Sequence, residues 1–211
     1  MNTTLQKNKD TGLLFFGKVT ASVTHDVKNS LATINENAGL LTDYAAMAAR
    51  GKPLDPERVN ALAVRIMDQV KRADALLKNM NRFAHSVDDS LKKVDLNEIL
   101  QLLAALSVRF AAMCETTLDV RPSSDPVEIE TSPFGLLNAL FLCLEFAMAA
   151  AGRGRSIDLR PEKTATGACV HFGPLPDAVI SDQDPCLAAS IDARLVKNTE
   201  AGTLTLIISD R

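Results

Sequence analysis

The rest of the chain is organised around Phe16–Leu41, FGKVTASVTHDVKNSLATINENAGLL. Its apolar residues recur at steps of three and four, and the average spacing of about 3.6 predicts an α-helix with one buried stripe. Two residues rotate a helix by roughly 200°. His25 lies two positions from both Val23 and Val27, so its ring is expected to point away from the stripe. The stripe consists of Phe16, Val19, Val23, Val27, Leu31, Ile34, Ala38, Leu41, Ala45 and Ala48.

Polar side chains surround His25 in the sequence. Asp26 follows it directly, and Lys28 and Asn29 come one turn later on roughly the same side of the helix. An exposed imidazole beside a carboxylate, a cation and an amide is a plausible surface for nucleophilic chemistry. The sequence therefore predicts a functional site at the middle of this helix.

A second long helix is predicted after a short loop. The first helix is expected over Gly12–Ala49, after a frayed tail, and the second runs to about Ser86. Gly51 can end the first helix, and Asp55-Pro56 supplies an N-cap and a proline at the first helical position. The second stripe consists of Val59, Leu62, Ile66, Val70, Ala73, Leu77, Met80, Phe83 and Val87.

Two long helices joined by a short loop form an antiparallel hairpin. A lone hairpin has only its two stripes to bury against each other, whereas two hairpins complete a four-helix bundle. We therefore expect a homodimer. The alternative is that the second half of the same chain covers the hairpin.

The second half predicts helices alternating with antiparallel strands, which is typical of a two-layer α/β sandwich. Residues 87–95 are charged and indicate a linker, so domains are expected at residues 1–90 and 91–211. The fold class is thus α+β: a hairpin forming a dimeric four-helix bundle, followed by a sandwich. The expected helices are Leu96–Met113, Phe134–Ala151 and Asp184–Lys197, and the expected strands are Thr117–Arg121, Val127–Glu130, Ser156–Arg160, Ala168–Phe172 and Thr203–Ile208.

Composition and charge limit the classes of function that the chain can have. Hydrophobic residues make up 46% of the 211 residues, ample for a core. Residues 1–93 hold 14 Lys/Arg and 10 Asp/Glu, a net charge of +4. The whole chain has a net charge of −3, so residues 94–211 carry a net charge of −7. Neither half has the basic run typical of a nucleic-acid-binding protein. No signal peptide or membrane span is predicted, and a cytoplasmic location is expected.

The four cysteines are widely spaced and form no CxxC pair, so buried thiols are expected rather than a metal site or a disulfide framework. His85 and His171 lack the polar surroundings of His25 and are expected to be structural. Glu145 lies in an apolar helix, where a satisfied contact, or a place at the mouth of an empty cleft, is favoured over a catalytic role.

His25-Asp26-Val27-Lys28-Asn29-Ser30-Leu31 resembles the phosphoacceptor motif of two-component histidine kinases, H-[DE]-x-[KR]-N-[PS]-L. The order of later elements strengthens the resemblance, which spans about residues 13–208. Val94–Leu100 is similar to the entry of the family's ATP-binding domain, Leu136–Ala150 to its nucleotide-site helix, and Gly202-Thr203 to its closing strand.

The departures from the family pattern bear on ATP. The family's metal-holding Asn falls at Glu145 or Phe146 here. Its adenine-reading D-x-G-x-G would fall near residues 171–175, where the Asp is missing, and its glycine-rich lid has no counterpart between Ile180 and Thr203. A triphosphate needs backbone amides and a metal. We therefore expect that ATP binding has been lost and that the chain uses no cofactor or metal of its own.

The resemblance implies a histidine phosphotransferase of a phosphorelay, whose partner is the receiver domain of a response regulator. His25 would be the nucleophile, Asp26 would orient the imidazole or take its proton, and Lys28 would neutralise phosphoryl charge. Asn29 matches the position that places a hydrolytic water, or it is a spacer. Mg²⁺ is expected on the receiver. The alternatives are an active kinase with a divergent ATP site and a docking module without chemistry.

Overall fold

The computed structural model describes residues 2–176, 191–198 and 202–209, and side chains from residue 11 onward. Helices come first and strands and helices follow, so the predicted α+β class is confirmed. The chain divides into two compact units: Thr20–Asn81, and Met1–Val19 together with Arg82–Arg211. The domain boundary predicted at residues 90 and 91 stays a prediction.

Two long helices form the predicted hairpin. Helix α1 spans Asn2–Ala49 and α2 spans Pro56–Ala84. Residues 2–11 continue the helix, so the frayed tail expected there was wrong. Gly51 adopts a φ of 82°, the left-handed conformation that ends helices. The backbone N–H of Glu57 donates to Asp55 Oδ1 at 3.0 Å, which confirms the predicted N-cap.

Within the unit Thr20–Asn81, the first predicted stripe is only partly buried. Val23 is 4% exposed, whereas Leu31 is 56% exposed. The buried side also includes polar residues that the stripe omitted, namely Ser22, Ser30 and Asn37. Two helices cover each other along one flank only, so the rest of each apolar surface faces outward in the single chain.

The second unit contains two further helices and the strands. Helix α3 spans Leu96–Met113, as predicted, and α4 spans Pro133–Ala151. Asp95 and Ser132 cap them by accepting from the backbone N–H groups of Asn97 and Gly135. The strands are β1 Lys92–Asp95, β2 Thr117–Val120, β3 Glu128–Thr131, β4 Ser156–Thr164, β5 Gly167–Gly173, β6 Ala193–Asn198 and β7 Thr203–Ser209.

Five of these strands form one sheet in the order β2-β4-β5-β7-β6, and β1 pairs with β3 separately. Only β2 and β4 are parallel. One face of the sheet is apolar and buried, because side chains alternate along each strand. Helices α3 and α4 pack on the sheet, which confirms the two-layer sandwich. The buried apolar residues are Ile157, Leu159, Ala168, Val170, Phe172, Leu204, Leu206 and Ile208.

Two predicted elements need correction. Lys92–Asp95, expected in a linker, is a strand because it pairs with Glu128–Thr131. The helix expected over residues 184–197 is a strand from Ala193, since β6 pairs antiparallel with β7 through Asn198. Its residues are alternately half-buried and exposed, the pattern of an edge strand. Residues 184–190 lie outside the described residues.

Four phenylalanines join the two ends of the hairpin to α4. Phe15 contacts Phe83, Phe134 and Phe141 at ring-centroid distances of 5.1, 5.8 and 4.7 Å. Phe15 and Phe83 are 2% and 0% exposed. Because aromatic rings bury large areas, this cluster is a main part of the core of the unit that contains it.

Among the residues that the structure describes, two helices are long and apolar enough to cross a membrane by length and composition, Leu96–Met113 and Pro133–Ala151. In the structure, 44% and 72% of their apolar windows are buried, and α4 is a core helix of its unit. The absence of a membrane partner stays a prediction.

Candidate functional site

His25 lies midway along α1, and its side chain is 47% exposed. The predicted outward direction of the ring is confirmed. Its Nδ1 lies 3.3 Å from Asp26 Oδ1 and 3.1 Å from Asn29 Nδ2. The structure thus brings three of the four predicted site residues together on one turn of helix.

The two contacts at Nδ1 require opposite tautomers of the imidazole. If Nδ1 carries the hydrogen, it donates to Asp26 and the Nε2 atom keeps its lone pair. If Nε2 carries the hydrogen, Nδ1 accepts from the amide of Asn29. A nucleophilic Nε2 therefore requires the contact with Asp26, whose side chain is only 18% exposed and so is held in place.

Lys28 is exposed and follows His25 by three residues on α1. That spacing places its ammonium group on the neighbouring part of the same helix surface. The chemical roles predicted for His25, Asp26, Lys28 and Asn29 stay predictions.

Glu145 lies on α4 and makes the satisfied contact favoured from the sequence. Lys18 Nζ donates to Glu145 Oε1 at 2.6 Å and also lies 5.6 Å from the centre of the Phe141 ring. Sequence reasoning missed Lys18, because 127 residues separate the partners and no local pattern links them. A cavity of about 70 Å³ beside them is lined by Thr11, Leu14, Phe15, Lys18, Phe141, Leu142 and Glu145.

The segment aligned with the adenine-reading motif packs tightly. Phe172 is fully buried, and Leu175 N donates to Gly202 O at 2.7 Å. A Cβ on Gly173 would lie 2.9 Å from that same oxygen, so only glycine fits there. The predicted loss of the glycine-rich lid falls mainly on residues 177–190 and 199–201, which lie outside the described residues.

The remaining histidines have polar partners. His85 Nδ1 is 2.7 Å from Asp88 Oδ2 on the exposed turn after α2. His171 lies on β5, where its Nδ1 is 2.9 Å from Thr205 Oγ1 and its Nε2 is 3.0 Å from Glu162 Oε2. Sequence reasoning missed this second polar group, since it becomes visible only once the strand register is known.

The cysteines differ in burial. Cys143 is fully buried, and burial raises the pKa of its thiol to about 12. Cys169 is also buried, and burial followed by the charge of Glu162 raises its pKa. Cys114 is only half-buried, which corrects the expectation of a buried thiol there. Cys186 lies outside the described residues.

No family model and no curated protein matches this chain. Solved structures similar to it include the histidine kinase AdeS of Acinetobacter baumannii, at 11% identity and a TM-score of 0.47, covering 82% of this chain and 94% of that one. A bacterial phosphotransferase matches at 15% identity and 0.46, covering 92% and 95%. The histidine kinase ThkA, in complex with the response regulator TrrA, matches at 15% and 0.45, covering 98% and 65%.

Two of these structures are histidine kinases, the class whose phosphoacceptor motif the sequence at His25 resembles.

Proposed function

We propose that this protein is a histidine phosphotransferase of a two-component phosphorelay. It passes a phosphoryl group between His25 and the aspartate of a response-regulator receiver domain. The observation that carries the proposal is the exposed His25 ring, with Nδ1 3.3 Å from the partly buried carboxylate of Asp26. In the tautomer in which Nδ1–H donates to that carboxylate, Nε2 keeps its lone pair and is the nucleophile.

The reaction exchanges one phosphorus bond for another. The Nε2 lone pair forms an N–P bond as the acyl-phosphate O–P bond of the receiver breaks, and the bonding electrons return to the receiver's carboxylate. Asp26 accepts a hydrogen bond from Nδ1–H and stabilises the positive charge that develops on the ring. Lys28 lies near enough along the helix to offset phosphoryl charge. Mg²⁺ belongs to the receiver's site, and the reverse transfer uses the same groups.

We propose further that the chain does not use ATP. The cavity beside Glu145 is about 70 Å³, whereas small-molecule pockets are typically about 300 to 1,000 Å³. The ion pair between Lys18 on α1 and Glu145 on α4 lies beside that cavity. Helix α4 is the helix aligned with the family's nucleotide-site helix. An uptake of γ-phosphate from ATP by the purified chain would instead favour the divergent kinase.

Homodimerisation is part of the proposal. Several large apolar side chains of the unit Thr20–Asn81 are exposed in the single chain and would be covered by a second hairpin. They are Leu31, Leu40, Met47, Leu54, Val64, Met67, Val70 and Leu77. We also propose a cytoplasmic location, because response regulators act in the cytoplasm.

The proposal is tested by incubating the protein with a phosphorylated receiver domain and measuring acid-labile phosphate on the chain. We expect label on wild-type protein and none on His25→Gln. A docking module without chemistry would bind the receiver but take up no label, which would contradict the proposal.

A further inference from the structure

Glu162, Cys169 and His171 form a cluster on the sheet face opposite α3 and α4. Their ligand-type atoms all lie within 4.8 Å of one another, and among the described residues this is the group of three that could hold a metal ion. Cys169 Sγ is 3.3 Å from His171 Nε2, and Glu162 Oε2 is 3.0 Å from the same nitrogen. Three different ligand types thus converge on one point.

The strand register fixes this arrangement. Glu162 on β4 is directly opposite Cys169 on β5, and His171 follows Cys169 by two residues on the same face. His171 is in turn opposite Thr205 on β7. The ligands and the threonine therefore stand on three paired strands rather than on a loop, which favours a preformed site.

Thr205 sets the orientation of the His171 ring. Its hydroxyl lies 2.9 Å from Nδ1, and when Nδ1–H donates to it the Nε2 lone pair points toward Cys169 and Glu162. Histidines that bind metals commonly donate their other N–H to such an outer partner, which fixes the tautomer. The threonine is 8% exposed, so this partner is itself held in the fold.

We propose that Glu162, Cys169 and His171 bind a divalent transition metal of the Zn²⁺ type. In a tetrahedral site with ordinary bond lengths, the ligand atoms are separated by about 3.3 to 3.5 Å. The observed 3.0 and 3.3 Å separations are within a few tenths of an ångström of those values. The exposed side chain of Glu162 can close the remaining gap to sulfur by rotating.

The electrostatics suit a divalent ion. A thiolate, a carboxylate and a neutral imidazole carry two negative charges, which balance the charge of Zn²⁺. A neighbouring arginine on this face, Arg160, is opposite His171 and is paired with Asp158 at 2.5 Å. Because Asp158 neutralises the charge of Arg160, the arginine should repel a bound cation only weakly.

Two of the three proposed ligands line a cavity. Glu162 and His171 line a space of about 960 Å³ on this side of the sheet, together with Arg121, Arg160, Ser123 and Asn198. Three protein ligands with one open position is the arrangement of catalytic zinc sites. Water or a small ligand entering this cavity would complete the coordination. The proposal does not depend on phosphotransfer at His25.

The test is a titration of metal-free protein with Co²⁺, a spectroscopic substitute for Zn²⁺. Thiolate coordination gives a near-ultraviolet charge-transfer band that neither carboxylates nor imidazoles produce. We expect one equivalent to bind, with Zn²⁺ abolishing the band by displacement. A folded wild-type protein that gives no such band at millimolar Co²⁺ would overturn the proposal.

Substitutions at the proposed ligands test which side chains bind the metal. Cys169→Ser should abolish the band, and His171→Gln and Glu162→Gln should weaken binding at least tenfold. Thr205→Val removes only the outer hydrogen bond and should weaken binding by about 10-fold or more. The matched control Cys114→Ser removes a half-buried thiol elsewhere and should bind as wild type, as should His25→Gln. A band that survives Cys169→Ser would refute the site.

Discussion

At the scale of single residues, the proposed mechanism assigns Asp26 the role of favouring the His25 tautomer in which Nδ1 carries the hydrogen. Asp26→Asn keeps the size of the side chain but removes the charge that favours Nδ1–H. We expect phosphotransfer to slow by at least about 10-fold, because oriented acid–base groups commonly contribute ~10²-fold or more. Receiver binding should be unchanged, since the surface around the ring keeps its shape.

The measurement is the rate of label transfer from a phosphorylated receiver, alongside receiver affinity by calorimetry. Asp43→Asn provides the control, an exposed carboxylate further along the same helix. If Asp26→Asn transferred at the wild-type rate, the role assigned to Asp26 would be wrong.

Sequence reasoning reached the residues of this site but not the distances between them. Periodicity places His25 outside the stripe, and helical geometry brings Asn29 near it. The contact between Lys18 and Glu145, and the cluster at His171, join residues far apart along the chain. Strand register and packing determine such contacts, and no local pattern reports them.

At the scale of elements, the phenylalanine cluster should dominate the stability of its unit. Phe83 is fully buried and contacts Phe15 at 5.1 Å and Phe134 at 6.0 Å. Phe83→Ala should lower the free energy of unfolding by about 3 to 5 kcal/mol. Urea denaturation measures it, and Leu13→Ala, at a 74% exposed position, should change the value by less than ~0.5 kcal/mol. Equal effects of the two variants would contradict this packing.

The exposed apolar residues of the hairpin predict how the chain assembles. Leu31 and Leu77 are 56% and 55% exposed in the single chain, so a charge at either position leaves its fold intact. In a dimer the same charge would be buried without a partner, which costs several kcal/mol. Leu31→Glu and Leu77→Glu should therefore give folded monomers.

Light scattering with circular dichroism checks this result. Val108→Glu, at a 60% exposed position on α3, is the matched control and should remain dimeric. A wild-type mass near 22.7 kDa at micromolar concentration would refute the dimer.

The boundaries of the helices and strands show where the local sequence alone is sufficient to predict secondary structure. Helix α3 begins and ends where predicted, because Asp95 caps it and its apolar period is unbroken. The helix predicted over residues 184–197 was wrong at Ala193–Asn198, which form strand β6. Pairing with β7 outweighs the local helix propensity of this segment. Strand β4, predicted to end at Arg160, continues through Pro161 opposite Val170, so the hairpin is longer than predicted.

At the scale of the whole molecule, the cavity beside Glu145 should be unable to hold a nucleotide. With only about 70 Å³ of cavity beside Glu145 and an ion pair there, we expect no calorimetric signal from Mg·ATP at millimolar concentration. Lys18→Ala, which removes the ion pair, tests whether that contact alone blocks the site. A dissociation constant of about 100 μM or tighter for wild type would contradict the proposed loss of ATP binding.

The central claim is that His25 carries the phosphoryl group. The most direct measurement is the site of acid-labile phosphate after incubation with a phosphorylated receiver domain, comparing wild type with His25→Gln, His85→Gln and His171→Gln. We expect the label to vanish in His25→Gln, which keeps its helix and oligomeric state, and to persist in the other two variants. Wild-type labelling of His25→Gln would show that α1 does not contain the active site.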